Sequence, residues 1–340
     1  MIAFWDCDPF DCMGAESNEQ RRVRGMARRR SYAVPGPSRI RGEFVLRLLL
    51  GIFVLLFFIF LALAGVGATL TYYVTTANSS QEAVTPQSYL LNSYIPLSFV
   101  DRMGGEHEGW LLLGLRGAPA IILCHGYDSN RSDLLSLGTI LRDNHYNVYI
   151  FNFHGPKAKE RFSDLGPRQA SDLISAIEMV TRQPDVNPNR VGVFGTSVGG
   201  YAALAAAESN SKVKALVVDT TYTTPESMFD SQIERLLGGS SGVFHVLTDL
   251  EFRIASMGGG SYSVQADLPK LANVPKLFIS GHDNPQLAAM TEELYDQAPQ
   301  PKQLLVMEHS GAGLAVETEK REFENQAINF FLKYLSLRAN

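Results

Sequence analysis

The stretch RVGVFGTSVGGYAALAAAES, residues 190–209, decides how the rest of the chain is read. It opens with an apolar run, RVGVF, of the kind that forms a buried strand. It then turns through Gly195-Thr196-Ser197-Val198-Gly199-Gly200 and continues into an alanine-rich segment of strong helix formers. A G-x-S-x-G motif between a strand and a helix is a nucleophile elbow. The serine takes a strained backbone conformation at a sharp turn, and glycines flank it because a Cβ there would strike the neighbouring chain. The hydroxyl is held above the strand, and the N–H groups opening the helix face any negative charge that develops beside it. Ser197 is therefore the candidate nucleophile.

Outward from this turn the pattern alternates. Short apolar runs predict strands at 97–100, 110–115, 118–124, 147–153, 190–194, 214–219, 276–280 and 303–308. Helix-period stretches lie between them at 132–143, 169–181, 198–209, 286–297 and 318–337. Strand–helix alternation of this kind gives an α/β fold with a mostly parallel sheet covered on both faces. Residues 221–273 break the rhythm. They contain GGSSG and MGGGS, with a helical 231–237 ahead of the first, and read as a lid-like insertion over the sheet. Ligands of such sheets bind beyond the carboxyl ends of the strands.

A second motif follows the third strand, where AIILC runs into His125-Gly126-Tyr127. With both motifs in place, residues 95–338 resemble the α/β-hydrolase superfamily. They are most similar to a membrane-tethered branch of serine-aminopeptidase-like proteins and lipid or ester hydrolases. The resemblance implies an eight-stranded, mostly parallel sheet and acyl transfer from an ester, lipid-like or peptide substrate through Ser197. It further implies an oxyanion hole from the backbone N–H groups of Tyr127 and Val198, with His125 shaping the loop. After the fourth strand the family shows D-x-R-G-H-G, whereas this chain has Asn152-Phe153-His154-Gly155-Pro156. The loop's glycine is kept and its polar residues differ.

A serine hydroxyl needs a histidine to take its proton and a carboxylate to hold that histidine. In the family the acid follows the seventh strand as G-x-x-D-P. Here Gly281-His282-Asp283-Asn284-Pro285 puts Asn284 in that register and Asp283 one residue early. The family histidine follows the eighth strand, often in G-A-G-H. Here Gly311-Ala312-Gly313-Leu314 puts Leu314 in that register, with His309 five residues upstream. Two readings stand side by side. In one, His309 with Asp283, or with Asp219, rebuilds a working relay, and His282 is a further candidate base. In the other, the chain is a catalytically degenerate hydrolase that binds a ligand or serves as a scaffold. Esterase and peptidase chemistry are not separated by these residues. His107 and His145 fall in polar turns, His154 in the fourth-strand loop and His245 in the insertion. All four read as loop or surface residues.

Ahead of this domain lies a run of different character. From Leu48 to Gln81 there is no charged residue, and 48–74 is almost continuously apolar, long enough to cross a bilayer as one helix. Residues 1–47 carry nine arginines against six acids, while the remainder holds 21 basic and 29 acidic residues. Arginine on the N-terminal flank predicts a single-pass anchor with a cytoplasmic N-terminus and an extracytoplasmic main domain. The rival reading, a cleaved signal peptide, expects a shorter apolar core and a shorter basic lead. The expected organisation is a basic segment 1–47, a bilayer-contacting helix 48–74, a small polar tether 75–94 and the hydrolase domain 95–340.

The 340 residues are 45% hydrophobic and 19% charged, which excludes disordered and collagen-like chains. The acidic main body is a poor nucleic-acid binder. Three cysteines leave no pair for a disulfide in the outer domain. There is no P-loop, dinucleotide fingerprint or metal-ligand spacing, so no cofactor is implied.

Overall fold

The computed structural model describes residues 37–76, 82, 84–91, 94–153, 162–239, 242–256, 263–311, 314 and 316–337. The chain divides after Ile59 into two compact units. What is described of the first is the opening of a long helix, α1, Pro37–Thr75. Residues Gly42–Thr75 of it are long and apolar enough to cross a membrane. The helix begins well ahead of the apolar run because arginine and glutamate are good helix formers: charge ends a hydrophobic stretch without ending a helix.

The second unit is built on eight strands: β1 (Tyr94–Val100), β2 (Glu106–Leu112), β3 (Ala118–Cys124), β4 (Asn147–Phe151), β5 (Val186–Thr196), β6 (Val213–Asp219), β7 (Lys276–Gly281) and β8 (Lys302–Met307). Their order in the sheet is β1-β2-β4-β3-β5-β6-β7-β8. The β1–β2 and β2–β4 pairs are antiparallel and the other five are parallel. Among the described residues, eight more α-helices accompany them: α2 (Leu135–Asp143), α3 (Pro167–Val180), α4 (Val198–Ser209), α5 (Pro225–Leu237), α6 (Gly242–Ala255), α7 (Val264–Asp267), α8 (Pro285–Gln297) and α9 (Glu317–Tyr334).

Strand periodicity divides the core. Ala120, Ile122 and Cys124 of β3 face one cluster, with Leu173 and Ile177 of α3, Leu204 of α4 and Leu287 of α8. Ile121 and Leu123 face the other, with Leu137 and Leu141 of α2 and Phe323, Phe330 and Phe331 of α9. Fully burying each such aliphatic or aromatic side chain contributes roughly 1.5–3 kcal/mol, so both faces are strongly driven to be covered.

The strands and helices expected from sequence all form, and β3 and α4 do so bound for bound. Two readings are corrected. His107 is not in a turn: β2 starts earlier, pairs His107 with Phe99 of β1 and stacks the two rings 4.7 Å apart. The insertion also contains more helix than expected, because α5 starts at Pro225 behind a Thr224 cap and α6 follows it.

The segment expected to be a tether is held where it is described. Thr76 bridges Phe162, and the Glu82 carboxylate lies 2.7 Å from Arg131 Nε and accepts from Asn152 Nδ2 at 2.8 Å. Asn152 thus has a reason to be an amide. A carboxylate in its place would face Glu82 with like charge, whereas asparagine donates to Glu82 and accepts from the Arg131 N–H. His154, Gly155 and Pro156 lie outside the described residues.

Candidate active site

Ser197 closes the β5–α4 turn with φ 50° and ψ −115°, a left-handed conformation that a non-glycine residue adopts only under constraint. Three contacts impose it. The Ser197 N–H donates to the Asp219 carbonyl at 2.9 Å, and its carbonyl accepts from the Tyr201 N–H and the Thr221 hydroxyl, each at 3.1 Å. The flanking glycines are required by close approach: a Cβ on Gly195 would overlap the Gly199 carbonyl, and one on Gly199 would overlap the Cys124 carbonyl. Among the described residues, no side chain hydrogen-bonds the Ser197 hydroxyl.

The loop after β3 comes up beside this turn. A Cβ built on Gly126 would stand 3.5 Å from Ser197 Cβ, which brings the adjoining Tyr127 backbone to the serine's side. His125 organises the loop. Its Nε2 accepts from the Phe153 N–H at 3.2 Å, which leaves Nδ1 as the protonated nitrogen, 2.8 Å from the Gly126 carbonyl. Burial pushes its pKa down, against the opposing pull of the Gly126 carbonyl and Asp133. The Tyr127 side chain runs the other way, and its hydroxyl donates at 2.6 Å to the carbonyl of Val74 in the last turn of α1. Val198 opens α4, so its N–H belongs to the helix N-terminus.

The loops after β7 and β8 are arranged differently. Asp283 Oδ1 accepts from the Ser310 N–H at 3.2 Å, and the Asp283 N–H donates to the Glu308 carbonyl at 3.0 Å. Asn284 caps α8, with its Oδ1 accepting from the Leu287 N–H at 3.3 Å. His309 leaves β8 toward the first turn of α9, where Nδ1 lies 3.1 Å from Glu319 Oε2 with the side chain 56% exposed. The expected His309–Asp283 relay is therefore not made: each residue has another partner. His282 is exposed, and Leu314 packs against the core cluster of α2 and α9. Among the described residues, no imidazole hydrogen-bonds Ser197.

The alternative acid, Asp219, stands in a network of hydroxyls that the motifs do not indicate. Asp219, buried at the end of β6, accepts from the Thr196 hydroxyl at 2.8 Å and the Thr220 hydroxyl at 3.1 Å. The Thr220 hydroxyl also meets that of Ser310, and Thr220 itself sits at φ 42°, strained for a β-branched residue. Burial raises the Asp219 carboxyl to about 6, against the hydrogen bonds from Thr196, Thr220 and Ser310. The sequence carried a signal for this in the hydroxyl pair Thr220-Thr221 directly after an aspartate that ends an apolar strand.

One further set of side chains could hold a cation. Asp101, His107 and Asp172 place one ligand atom each within 4.8 Å of one another. His107 Nε2 is 3.0 Å from Asp101 Oδ2 and 3.7 Å from Asp172 Oδ1, while Nδ1 is 3.1 Å from the Asn152 carbonyl. Both ring nitrogens face oxygen atoms. Burial, reinforced by Asp101 and Asp164, pushes the Asp172 carboxyl up to about 8.

With this geometry in hand, likenesses to known proteins can be placed on it. Residues 139–235, which hold the Ser197 turn, match the prolyl oligopeptidase family. The chain is 27% identical over 253 residues to the uncharacterized protein YfhR of Escherichia coli O157:H7, covering 71% of this chain and 81% of that one. It is 23% identical over 185 residues to the thiohydrolase aneE of Aspergillus aculeatus, covering 53% and 56% respectively. Among solved structures, a Pyrococcus furiosus esterase superposes with a TM-score of 0.61 at 16% identity, covering 77% of this chain and 99% of that one. A serine on the β5–α4 turn of a sheet in this order, matched along 99% of the length of that esterase structure, gives the chain the α/β-hydrolase fold.

Proposed function

We propose that this protein is a membrane-anchored serine hydrolase acting on small ester, thioester or lipid-like acyl substrates, with Ser197 as nucleophile. The observation that carries the proposal is the strained backbone at Ser197, φ 50° and ψ −115°. Such a conformation costs on the order of 1–3 kcal/mol and persists where the surroundings over-determine it, most often at functional sites. In the reaction, Ser197 Oγ attacks the acyl carbon while its proton passes to a base, and the carbonyl π pair moves to oxygen. The oxyanion is held by the N–H groups of Tyr127 and Val198. The intermediate then collapses, expelling the protonated alcohol or thiol and leaving an acyl-serine, which water cleaves by the same steps in reverse order.

The proposed base is His309, with Asp283 as the acid. In this arrangement the imidazole exchanges Glu319 for the serine when substrate is present. The names of the similar esterase and thiohydrolase favour ester and thioester over peptide bonds. A second reading, a binding module that forms no acyl-serine, is favoured by His309 being committed to Glu319. We also read residues 42–75 as a single membrane span with the N-terminus cytoplasmic.

A fluorophosphonate separates the two readings. The hydrolase labels stoichiometrically, and Ser197→Ala does not label. Folded wild type that fails to label establishes the binding module. With p-nitrophenyl butyrate, His309→Ala lowers turnover by about 10²-fold or more if His309 is the base. Unchanged turnover removes it from that role. Protease digestion of the main domain in intact cells tests the orientation, and complete protection reverses it.

A further inference from the structure

Among the described residues, one face of the α5–α6 hairpin has no protein partner. On its inner side, Phe252 of α6 stacks on Phe229 of α5 at 4.5 Å between centroids, and Thr248 is fully buried. On its outer side, Val246, Leu250 and Ile254 are 74%, 54% and 57% exposed. Their spacing of four residues aligns them on one helix face. Leu236 and Leu237, at the end of α5, add exposed apolar surface nearby in sequence. In water such a stripe is a liability for a soluble domain.

What covers it is indicated by the neighbour of α6. Glu251 Oε2 accepts from the Thr71 hydroxyl of α1 at 3.3 Å, and the same carboxylate stands where a Cβ on Gly67 would be. Thus α6 rests against the segment of α1 from Gly67 to Thr71, with the exposed aromatic pair Tyr72-Tyr73 immediately beyond. At ~1.5 Å per residue, Gly67 lies about 7.5 Å along the helix from Tyr72. Tyrosines at the end of a span sit at headgroup level. Helices that lie in the membrane plane bury their apolar face about 5–10 Å into the headgroup–acyl boundary. The two depths agree. Arg253 borders the apolar stripe, as cations do on membrane-surface helices.

We propose that α6 is an in-plane interfacial helix whose Val246–Leu250–Ile254 face lies in the headgroup–acyl boundary of the bilayer that α1 enters. This rests on the reading of α1 as a membrane span. It also gives the substrate of the Ser197 site a route. The Tyr127 loop is tied to α1 through Val74, and α5 is tied to the same loop through Arg235 and Asp128 at 3.4 Å. An acyl ester lying at the level of the glycerol backbone therefore reaches the site along the lipid surface, with its chains still in the bilayer.

The test uses the full-length protein reconstituted into dioleoylphosphatidylcholine vesicles, with and without dibrominated acyl chains. Leu250→Trp is read as emission above the parent, and Val246→Trp and Ile254→Trp serve as independent repeats. Leu115→Trp is the control, because Leu115 is exposed at the amino edge of the parallel strands, opposite the Ser197 turn. Brominated lipid should remove about half of the added emission at the three α6 positions, consistent with burial at the acyl boundary, and none at Leu115. Equal quenching by brominated lipid at α6 and at Leu115 overturns the proposal. Alkaline carbonate extraction of the same vesicles separates the causes. Protein retained but unquenched leaves the span standing and removes the interfacial helix, while protein extracted removes both.

Discussion

The two halves of the candidate site have been treated differently. The half proposed to stabilise negative charge, made by the loops after β3 and β5, has no slack. Gly195 and Gly199 accept no side chain, His125 is buried with both nitrogens engaged, and Ser197 is held in a strained turn. The half that would move protons, made by the loops after β7 and β8, has been put to structural use. Asn284 caps a helix, Asp283 receives a backbone N–H, Leu314 joins the core and His309 pairs with Glu319 in solvent. Oxyanion geometry depends on backbone that the whole sheet determines. A proton relay depends on a few side chains, which surface loops can redirect at small cost. The anion-stabilising half can therefore outlast its partner.

The comparison is sharpened most by restoring the second half. Leu314→His combined with Asn284→Asp places an imidazole and a carboxylate in the family registers, and aspartate still caps α8. On the second reading, in which no base serves Ser197, turnover of p-nitrophenyl butyrate rises by about 10²–10⁴-fold, the usual worth of a positioned general base. A double variant no faster than its parent counts against that reading.

Breaking the first half comes next. Gly195→Ala forces a methyl group into the Gly199 carbonyl and should cost about 3 kcal/mol, at the upper end of overpacking effects. Denaturant titration of the purified chain would report this, together with loss of phosphonate labelling.

A third test concerns the carboxylate between the halves. Asp219 titrates near 6 in the folded chain, above the 3.8 of an unperturbed group. Its contribution to stability is therefore full below 3.8 and is lost as pH rises through 6. Asp219→Asn removes that loss. The melting temperature of the variant relative to wild type should climb between pH 4 and pH 6 and then level off, and a constant difference would contradict the shift.

The smallest effect expected is that of Asn152→Asp, which sets a second carboxylate against Glu82 and deletes a hydrogen bond. It should cost about 1 kcal/mol, with Arg131 absorbing part of the repulsion.

How much of this was legible follows from the range of the forces involved. The elbow was readable because Gly195, Ser197 and Gly199 are fixed by contacts within a few residues and by the strand beside them. β3 was readable because seven buried residues leave little choice of state. The fate of His309 was not, since it depends on Glu319 ten residues on, across a loop whose direction no local pattern sets. α6 was hidden by its flanks. The glycine- and serine-rich segments drew the reading toward loop, although Val246, Leu250 and Ile254 already carried the helical period. His107 was misplaced because EHEG is polar, and only pairing with β1 makes it a strand.

The hydrogen bond from Tyr127 to the carbonyl of Val74 makes the helix end a structural part of the loop after β3. A fragment trimmed to start at the first strand, the natural choice for anyone wanting a chain without the apolar helix, would lack the acceptor that steadies that loop. On the proposed function, its kinetics would describe a slacker catalyst than the full chain.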